Sequence, residues 1–600
     1  MRLFELSTNT NTSSPVRAHR HISIDGLSMT GRRSSFAHSL LNSHFRLLIL
    51  IVLILCIMIA VASGATAATA ATAATAATAA TSSIPDQKTP VIVTVVPNPV
   101  AENDVGEFIV VDTDGVSNLT LTDGESIITV PVVPGETVAL SAAPNKTRQR
   151  VEIPVRQAAV GLSNGGEQLI LNHQSERVHE VTYSDAPEGE RLNATSMEWI
   201  PRGVELRSVT STGSADVTAF VLPDTPAIPI TAIQSANKRI LLAGYTYASP
   251  PVTDALLSAS DRGVRIQVLL EGSPVGGLST AQRTQLNRLS NNGIVVQLLA
   301  GTPARFAYHH PKYAVIDNSA IVLSENWKPA GTGGKNSRGW GVHAHSRATA
   351  SELASVFAHD STGYDVIPWS QARTDIGFNE VLPATGQYPT QFDAELMSVD
   401  EIRVLTAPGN AGEAVRSRID TAEKRIDVVS PRMNPSGPYF YALVDAAKRG
   451  IQVRLLLSDA WYDTDKNRAV VNRASELNAT GLPIRAQIVT SGDQFGKIHA
   501  KGAIIDDRIA LVGSLNWNEH AGTKNREVVL ELVGDEPATY YSHVFISDWQ
   551  GYEGTDTASR RGVNTESEPE YVPVLLALGA LAAVIIAGYA LYSTVLSDHP

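Results

Sequence analysis

An eight-residue text occurs twice in this chain, as His310-Pro-Lys-Tyr-Ala-Val-Ile-Asp317 and His499-Ala-Lys-Gly-Ala-Ile-Ile-Asp506, and it constrains the fold more than any other feature. The apolar residues between lysine and aspartate read as a short buried strand. On a strand, side chains two apart share a face, so His310 projects with Lys312 and His499 with Lys501. Each aspartate stands where its strand yields to Asp317-Asn318 or Asp506-Asp507, a position that suits holding a turn as well as catalysis.

The duplication extends beyond the motif. Lys238-Arg239-Ile240 opens a strand, followed by a helix over 252–262 and a strand over 265–270; Lys424-Arg425-Ile426 opens the same series, with a helix over 439–449 and a strand over 452–457. Gly263 and Gly450 stand just past the helix ends, where a left-handed residue closes a helix. Strand, crossover helix and parallel strand make one right-handed unit, so its repetition predicts a duplicated α/β/α domain with halves at 226–385 and 386–555. After each motif a further strand, 320–323 or 509–512, leads into Ser324-Glu-Asn326-Trp327 or Ser514-Leu-Asn516-Trp517.

These residues suit one phosphodiester. Its negative charge needs neutralising, which Lys312 and Lys501 can do, while Ser324, Asn326, Ser514 and Asn516 offer neutral donors to the phosphate oxygens. Two imidazoles supply a nucleophile and an acid. His310, Lys312, Asp317, His499, Lys501 and Asp506 are therefore the expected catalytic set. No dense carboxylate cluster flanks either motif, so no metal and no cofactor are expected; His309, His343 and His345 are the nearest candidates for an adventitious ion.

On the paired motifs, residues 226–555 resemble the phospholipase D superfamily. That resemblance implies a bilobal fold with one shared centre, attack by a neutral His310 to form a phosphohistidine, and proton transfer to and from His499. It implies further that Glu527, in Asn525-Arg526-Glu527, orients His499. The aligned first-half stretch is Ser337-Arg338-Gly339, which leaves His310 without its expected acidic partner; Glu325 is the other candidate, and Leu323 stands where the second half has Gly513. The expected substrate is a phospholipid. A nuclease with the same chemistry, or a scaffold with an inert centre, are the rival readings. A glycine-rich stretch at 330–341, with Lys335, Arg338 and Trp340, suggests a loop at the cleft mouth.

Upstream, residues 88–222 alternate short strand candidates with Asp-Gly, Pro-Gly and Gly-Gly turns, which predicts a β-sandwich. Pro97-Asn98-Pro99, Gly106-Glu107-Phe108, Leu121-Thr-Asp-Gly124 and Val181-Thr-Tyr183 resemble a lamin-tail-like domain. The fold class expected is thus multidomain, a sandwich followed by the duplicated domain, with hydrophobic segments at both termini. The apolar run 47–62, after Arg32, Arg33 and Arg46, gives residues 1–65 the form of a leader with a signal peptide or anchor. An Ala/Thr-rich spacer occupies 66–87, a linker 556–570, and an uncharged run at 571–592 is long enough for a transmembrane helix. These segments point to a cell-membrane protein whose catalytic region is extracytoplasmic. A net charge of -12 argues against broad capture of nucleic acid, and the lone Cys56 excludes an intrachain disulfide. Nothing in the sequence fixes an oligomeric state.

Overall fold

The computed structural model describes residues 89–130, 137–460 and 463–551; the expected leader (1–65), spacer (66–87), linker (556–570) and C-terminal apolar helix (571–592) lie outside them. Among the described residues no helix is long and apolar enough to cross a membrane.

Two sheets form the N-terminal region. The first runs in the order Glu198–Pro201, Glu190–Asn193, Val91–Val96, Phe108–Asp112, Thr137–Ser141, Val155–Gln157, and the second in the order Ile127–Thr129, Leu119–Thr122, Glu167–His173, Glu176–Tyr183. Alternation decides which side chains turn inward: Val95, Ile109, Leu121, Leu169, Leu171 and Val181 from the two sheets pack in one core. This region leans on the first α/β half. The carbonyl of Gly203 accepts a hydrogen bond from His359 at 2.8 Å, and the Arg202 guanidinium lies 5.4 Å over the Tyr364 ring.

The expected boundary at 222 is too late. Ala215–Leu222 pairs antiparallel with Ser337–Ala344 on one side and Glu395–Val399 on the other. Its second half, Ala219 to Leu222, is fully buried, which is the character of a strand covered on both faces rather than of one with a wet side. Through its pairing with Ala215–Leu222, Glu395–Val399, expected in the second half, belongs to the first sheet.

That sheet runs in the order Val366–Pro368, Val295–Leu299, Arg265–Glu271, Arg239–Gly244, Tyr313–Ile316, Ser319–Leu323, Ser337–Ala344, Ala215–Leu222, Glu395–Val399. The second runs Thr210–Ser211, Glu401–Ala407, Glu527–Val533, Ile509–Gly513, Gly502–Ile505, Arg425–Ser430, Gln452–Ser458, Ile484–Val489. The expected helices form as Pro250–Asp261 and Pro438–Lys448. Each is followed by its glycine in the left-handed region, Gly263 at φ 86° and Gly450 at φ 92°, and a parallel strand comes next.

The two sheets share one core. Trp340 of the first half stacks on Tyr541 of the second at 4.7 Å, and the Tyr541 hydroxyl donates to the Gly341 carbonyl at 2.7 Å. Gly502 makes room for this contact, since a Cβ there would sit 2.4 Å from the Trp340 ring. The stretch expected as a cleft-mouth loop therefore ends in a buried strand, with Arg338 and Trp340 both shielded from solvent.

Candidate active site

Each motif histidine is carried by a segment that hydrogen-bonds to the opposite half. The His310 N–H donates to the Arg526 carbonyl at 2.9 Å, and the His499 N–H donates to the Arg338 carbonyl at 2.9 Å. The two strands so engaged are equivalent in their own halves. Trp340 N–H donates to Ser324 Oγ at 2.9 Å, and Val528 N–H donates to Ser514 Oγ at 3.0 Å. Position 339 thus corresponds to 527, and each faces the histidine of the other half.

This crossing corrects the expected partner of Glu527. Both of its carboxylate oxygens lie 2.9 Å from His310 Nδ1. Ser514 Oγ donates to Glu527 at 2.5 Å and Asn525 Nδ2 donates at 3.0 Å, so the carboxylate is held from three sides. A carboxylate at Nδ1 keeps the proton there and leaves Nε2 as the free base. Burial pushes His310 down to about 4, with Glu527 opposing the shift, so the ring is neutral at pH 7. His499 Nδ1 instead lies 3.2 Å from Glu325 Oε2, at ion-pair distance but without hydrogen-bond alignment. Burial and the nearby Lys501 push His499 to about 3.

Each lysine reaches back to the backbone of its own motif histidine. Lys312 Nζ donates to the His310 carbonyl at 2.5 Å; Lys501 Nζ donates to the His499 carbonyl at 2.7 Å and to Ser324 O, in the other half, at 3.4 Å. Burial lowers Lys312 to about 7, and burial together with Lys312 pushes Lys501 well below its usual value, although Glu325 and Glu527 oppose both shifts. Burial therefore works against the charged form of both lysines, and a phosphate anion beside them would favour it.

Asp317 and Asp506 do not join this centre. Asp317 accepts the backbone N–H groups of Asn237, Lys238 and Arg239 at 2.8, 2.9 and 2.9 Å, and Asp506 accepts those of Glu423, Lys424 and Arg425 at 2.9, 2.7 and 3.1 Å. Four strand residues stand between each aspartate and its lysine, so the two are five steps apart, roughly 16 Å at the usual rise. Both occupy the left-handed region, at φ 52° and 54°, as turn residues do. Their expected catalytic role gives way to anchoring the start of the neighbouring strand. Ser514 is corrected too, because its one hydroxyl proton goes to Glu527 rather than to a phosphate. Ser324, Asn326 and Asn516 are all buried, the Ser324 carbonyl lies within reach of Lys501 Nζ, and Asn326 Oδ1 has no hydrogen-bond partner.

Other residues at the site carry no motif. Tyr245 follows the strand Arg239–Gly244 and sets its ring 4.7 Å from that of His310 and 5.4 Å from Lys312 Nζ. Its place at the carboxyl end of a parallel strand is the signal that could have found it. Beneath the site two ion pairs cross between halves: Arg526 Nη2 to Asp360 Oδ1 at 2.9 Å, and Arg338 Nε to Asp548 Oδ2 at 3.0 Å. The repeated arginine is visible in Ser-Arg-Gly and Asn-Arg-Glu, but its partners lie on the distant helices Arg347–Ser361 and Asp535–Gln550.

Residues 230–361 and 415–549 match the family model described as "Cardiolipin synthase, PLD-like domain". The chain carries PLD-like domains. Cardiolipin synthase A of Pseudomonas fluorescens is 32% identical over 131 residues, which is 22% of this chain and 26% of that protein. Minor cardiolipin synthase ClsB of Bacillus subtilis is 25% identical over 294 residues, 46% of this chain and 66% of that protein. The PLD-like region thus spans about a quarter of the Pseudomonas relative's length and just under two thirds of the Bacillus one's. Among solved structures, phosphatidylserine synthase of Haemophilus influenzae aligns at 13% identity and a TM-score of 0.42, covering 62% of this chain and 94% of that one.

Proposed function

We propose that the PLD-like domains form one centre that hydrolyses or transfers the phosphodiester of a phospholipid, with His310 as nucleophile and His499 as acid and base. The observation that carries this reading is the second half's Glu527 bonded to the first half's His310 at 2.9 Å, with Lys501 reaching Ser324 O from the other side. His310 Nε2 attacks phosphorus, forming the P–N bond as the bond to the leaving alkoxide breaks, and His499 gives that alkoxide its proton. A water or an alcohol hydroxyl then attacks the phosphohistidine, loses its proton to His499, and releases His310. Lys312 and Lys501 neutralise the nonbridging oxygens, with the amides of Asn326 and Asn516 as further donors. The incoming phosphate charge raises His499 from its depressed value, which arms it as an acid.

Lipid as substrate, and transfer alongside hydrolysis, draw support from the cardiolipin synthase names of the matched relatives. Attachment to a membrane, with the centre on its extracytoplasmic side, rests on the apolar runs at 47–62 and 571–592. The two N-terminal sheets would then serve for placement or interaction, the role their lamin-tail-like turn order suggests. The full chain in phosphatidylglycerol vesicles should release headgroup or form a dimeric lipid, with chelator making no difference. His310→Ala and His499→Ala should each lower turnover by on the order of 1000-fold. Unchanged turnover in either variant sinks the two-histidine mechanism, and cleavage of DNA in place of lipid selects the nuclease.

A further inference from the structure

The second half puts glycine at 513 and leucine at 515 on one strand and strand end, and Glu527 and Val529 on the strand beside it. The first half differs at both cross-strand pairs, with Leu323 and Glu325 leading and Gly339 and Gly341 opposite. Geometry shows that the difference is compensated. A Cβ at Gly339 would lie 2.1 Å from Glu325 Cγ, and a Cβ at Gly341 would lie 2.8 Å from a Leu323 methyl and 2.4 Å from Phe220. In the second half the side chain comes from the other strand, for a Cβ at Gly513 would lie 3.0 Å from Val529 Cγ2 as well as 2.3 Å from the Val528 carbonyl oxygen. At the pair 323/341 the bulky side chain stands on the opposite strand from that at 513/529; at the pair 325/339 the carboxylate has made the same move, with Glu325 in the place of Leu515 and no side chain left at 339.

The destination of that carboxylate is specific. Gly339 occupies the place from which an acid would face His499, as Glu527 faces His310. Glu325 fills the space above Gly339 and brings Oε2 to 3.2 Å from His499 Nδ1. It is buried, its Oε1 has no hydrogen-bond partner, and His499, Lys501 and Lys497 hold its pKa below the usual glutamate range against the effect of burial. A decayed half would lack such a group; an ionised buried carboxylate with nothing to face is costly.

We propose that Glu325 is the positioning residue of His499, and that Glu325 with Gly339 replaces, by exchange across two adjacent strands, the arrangement that Leu515 with Glu527 makes for His310. The exchange leaves the two histidines unequal. Glu527 is fixed by Ser514 and Asn525 and locks the His310 tautomer, whereas Glu325 has only its histidine and the lysine charges around it. The looser carboxylate suits the ring that must gain and lose a proton in each cycle.

This inference rests on the proposed two-histidine chemistry for its kinetic consequence but not for its structural one, and the test separates them. Histidine-ring nitrogen NMR on the full chain, selectively labelled and without substrate, follows His499 in the wild type, Glu325→Gln, Glu325→Leu and the double variant Glu325→Leu/Gly339→Glu. The expected result is a fall in the His499 pKa in both single variants and its recovery in the double variant, where the acid stands on the strand that carries it in the second half. With bis(p-nitrophenyl) phosphate as probe, kcat should fall on the order of 100-fold in Glu325→Gln with KM little changed, and the basic limb of the pH profile should move down. The double variant should regain most of that loss. A His499 titration indifferent to Glu325, or a folded double variant no better than Glu325→Leu in either readout, overturns the assignment. Absence of turnover in the wild type with the NMR pattern intact would instead overturn the proposed reaction and leave the exchange standing.

Discussion

At Asp317 the carboxylate gathers three consecutive backbone N–H groups at the mouth of the strand Arg239–Gly244, and Asp506 does the same for Arg425–Ser430. Asp317→Ala should therefore lower stability by about 1–3 kcal/mol. Its kcat, measured on the folded fraction at a temperature well below Tm, should stay within a fewfold of the wild type; a loss comparable to that of His310→Ala would return the aspartate to the chemistry. The buried imidazoles set the pH response. Their folded values, about 4 for His310 and about 3 for His499, lie below the ordinary histidine value, so the unfolded chain takes up protons first as pH falls. Stability from these groups is intact above pH 6.5 and is lost as pH drops through the folded values. Thermal melts should show Tm falling between pH 6.5 and 4, and inorganic phosphate, by favouring the protonated rings and the ammonium groups, should reduce the fall. A Tm flat across that window, in His310→Ala and wild type alike, would contradict the assigned shifts.

Among the elements, those that repeat were the readable ones. Helix, closing glycine and parallel strand recur with the same polarity and period, and both Gly263 and Gly450 take the backbone conformation their places demand. The histidine and lysine of each motif were legible for a similar reason, as a strand fixes which neighbours share a face. What escaped the sequence depends on partners far apart in the chain. Glycines at 331, 333 and 334 suggest an open loop, yet Gly331 and Gly333 pack against the backbone of Asn326 and Pro329, and the chain then enters the buried strand Ser337–Ala344. The side chain that faces each histidine was misassigned because alignment within a half cannot reveal that the strand after Ser-x-Asn-Trp serves the other half. Glu325 was visible only as a nearby acid; its reach is set by the absence of a side chain at Gly339, across the sheet.

For the whole molecule, the crossed ion pairs bear most directly on assembly. Arg526 is fully buried and holds Asp360 on a helix of the other half, so Asp360→Asn removes the countercharge of a guanidinium with no route to water. The expected cost is about 3–5 kcal/mol. Denaturant unfolding of the variant should also resolve two transitions where the wild type shows one, because this pair joins the halves; a single transition with an unchanged midpoint would deny the pair that role. The seam has a further consequence for how such a molecule can change over generations. The His310 ring belongs to one copy and the glutamate that sets its tautomer to the other. Neither copy can drift alone, split away as a working enzyme, or be recombined with a stranger's partner without also bringing the matching strand. Duplication, which ordinarily frees a spare copy to wander, has here tied both copies to a common fate.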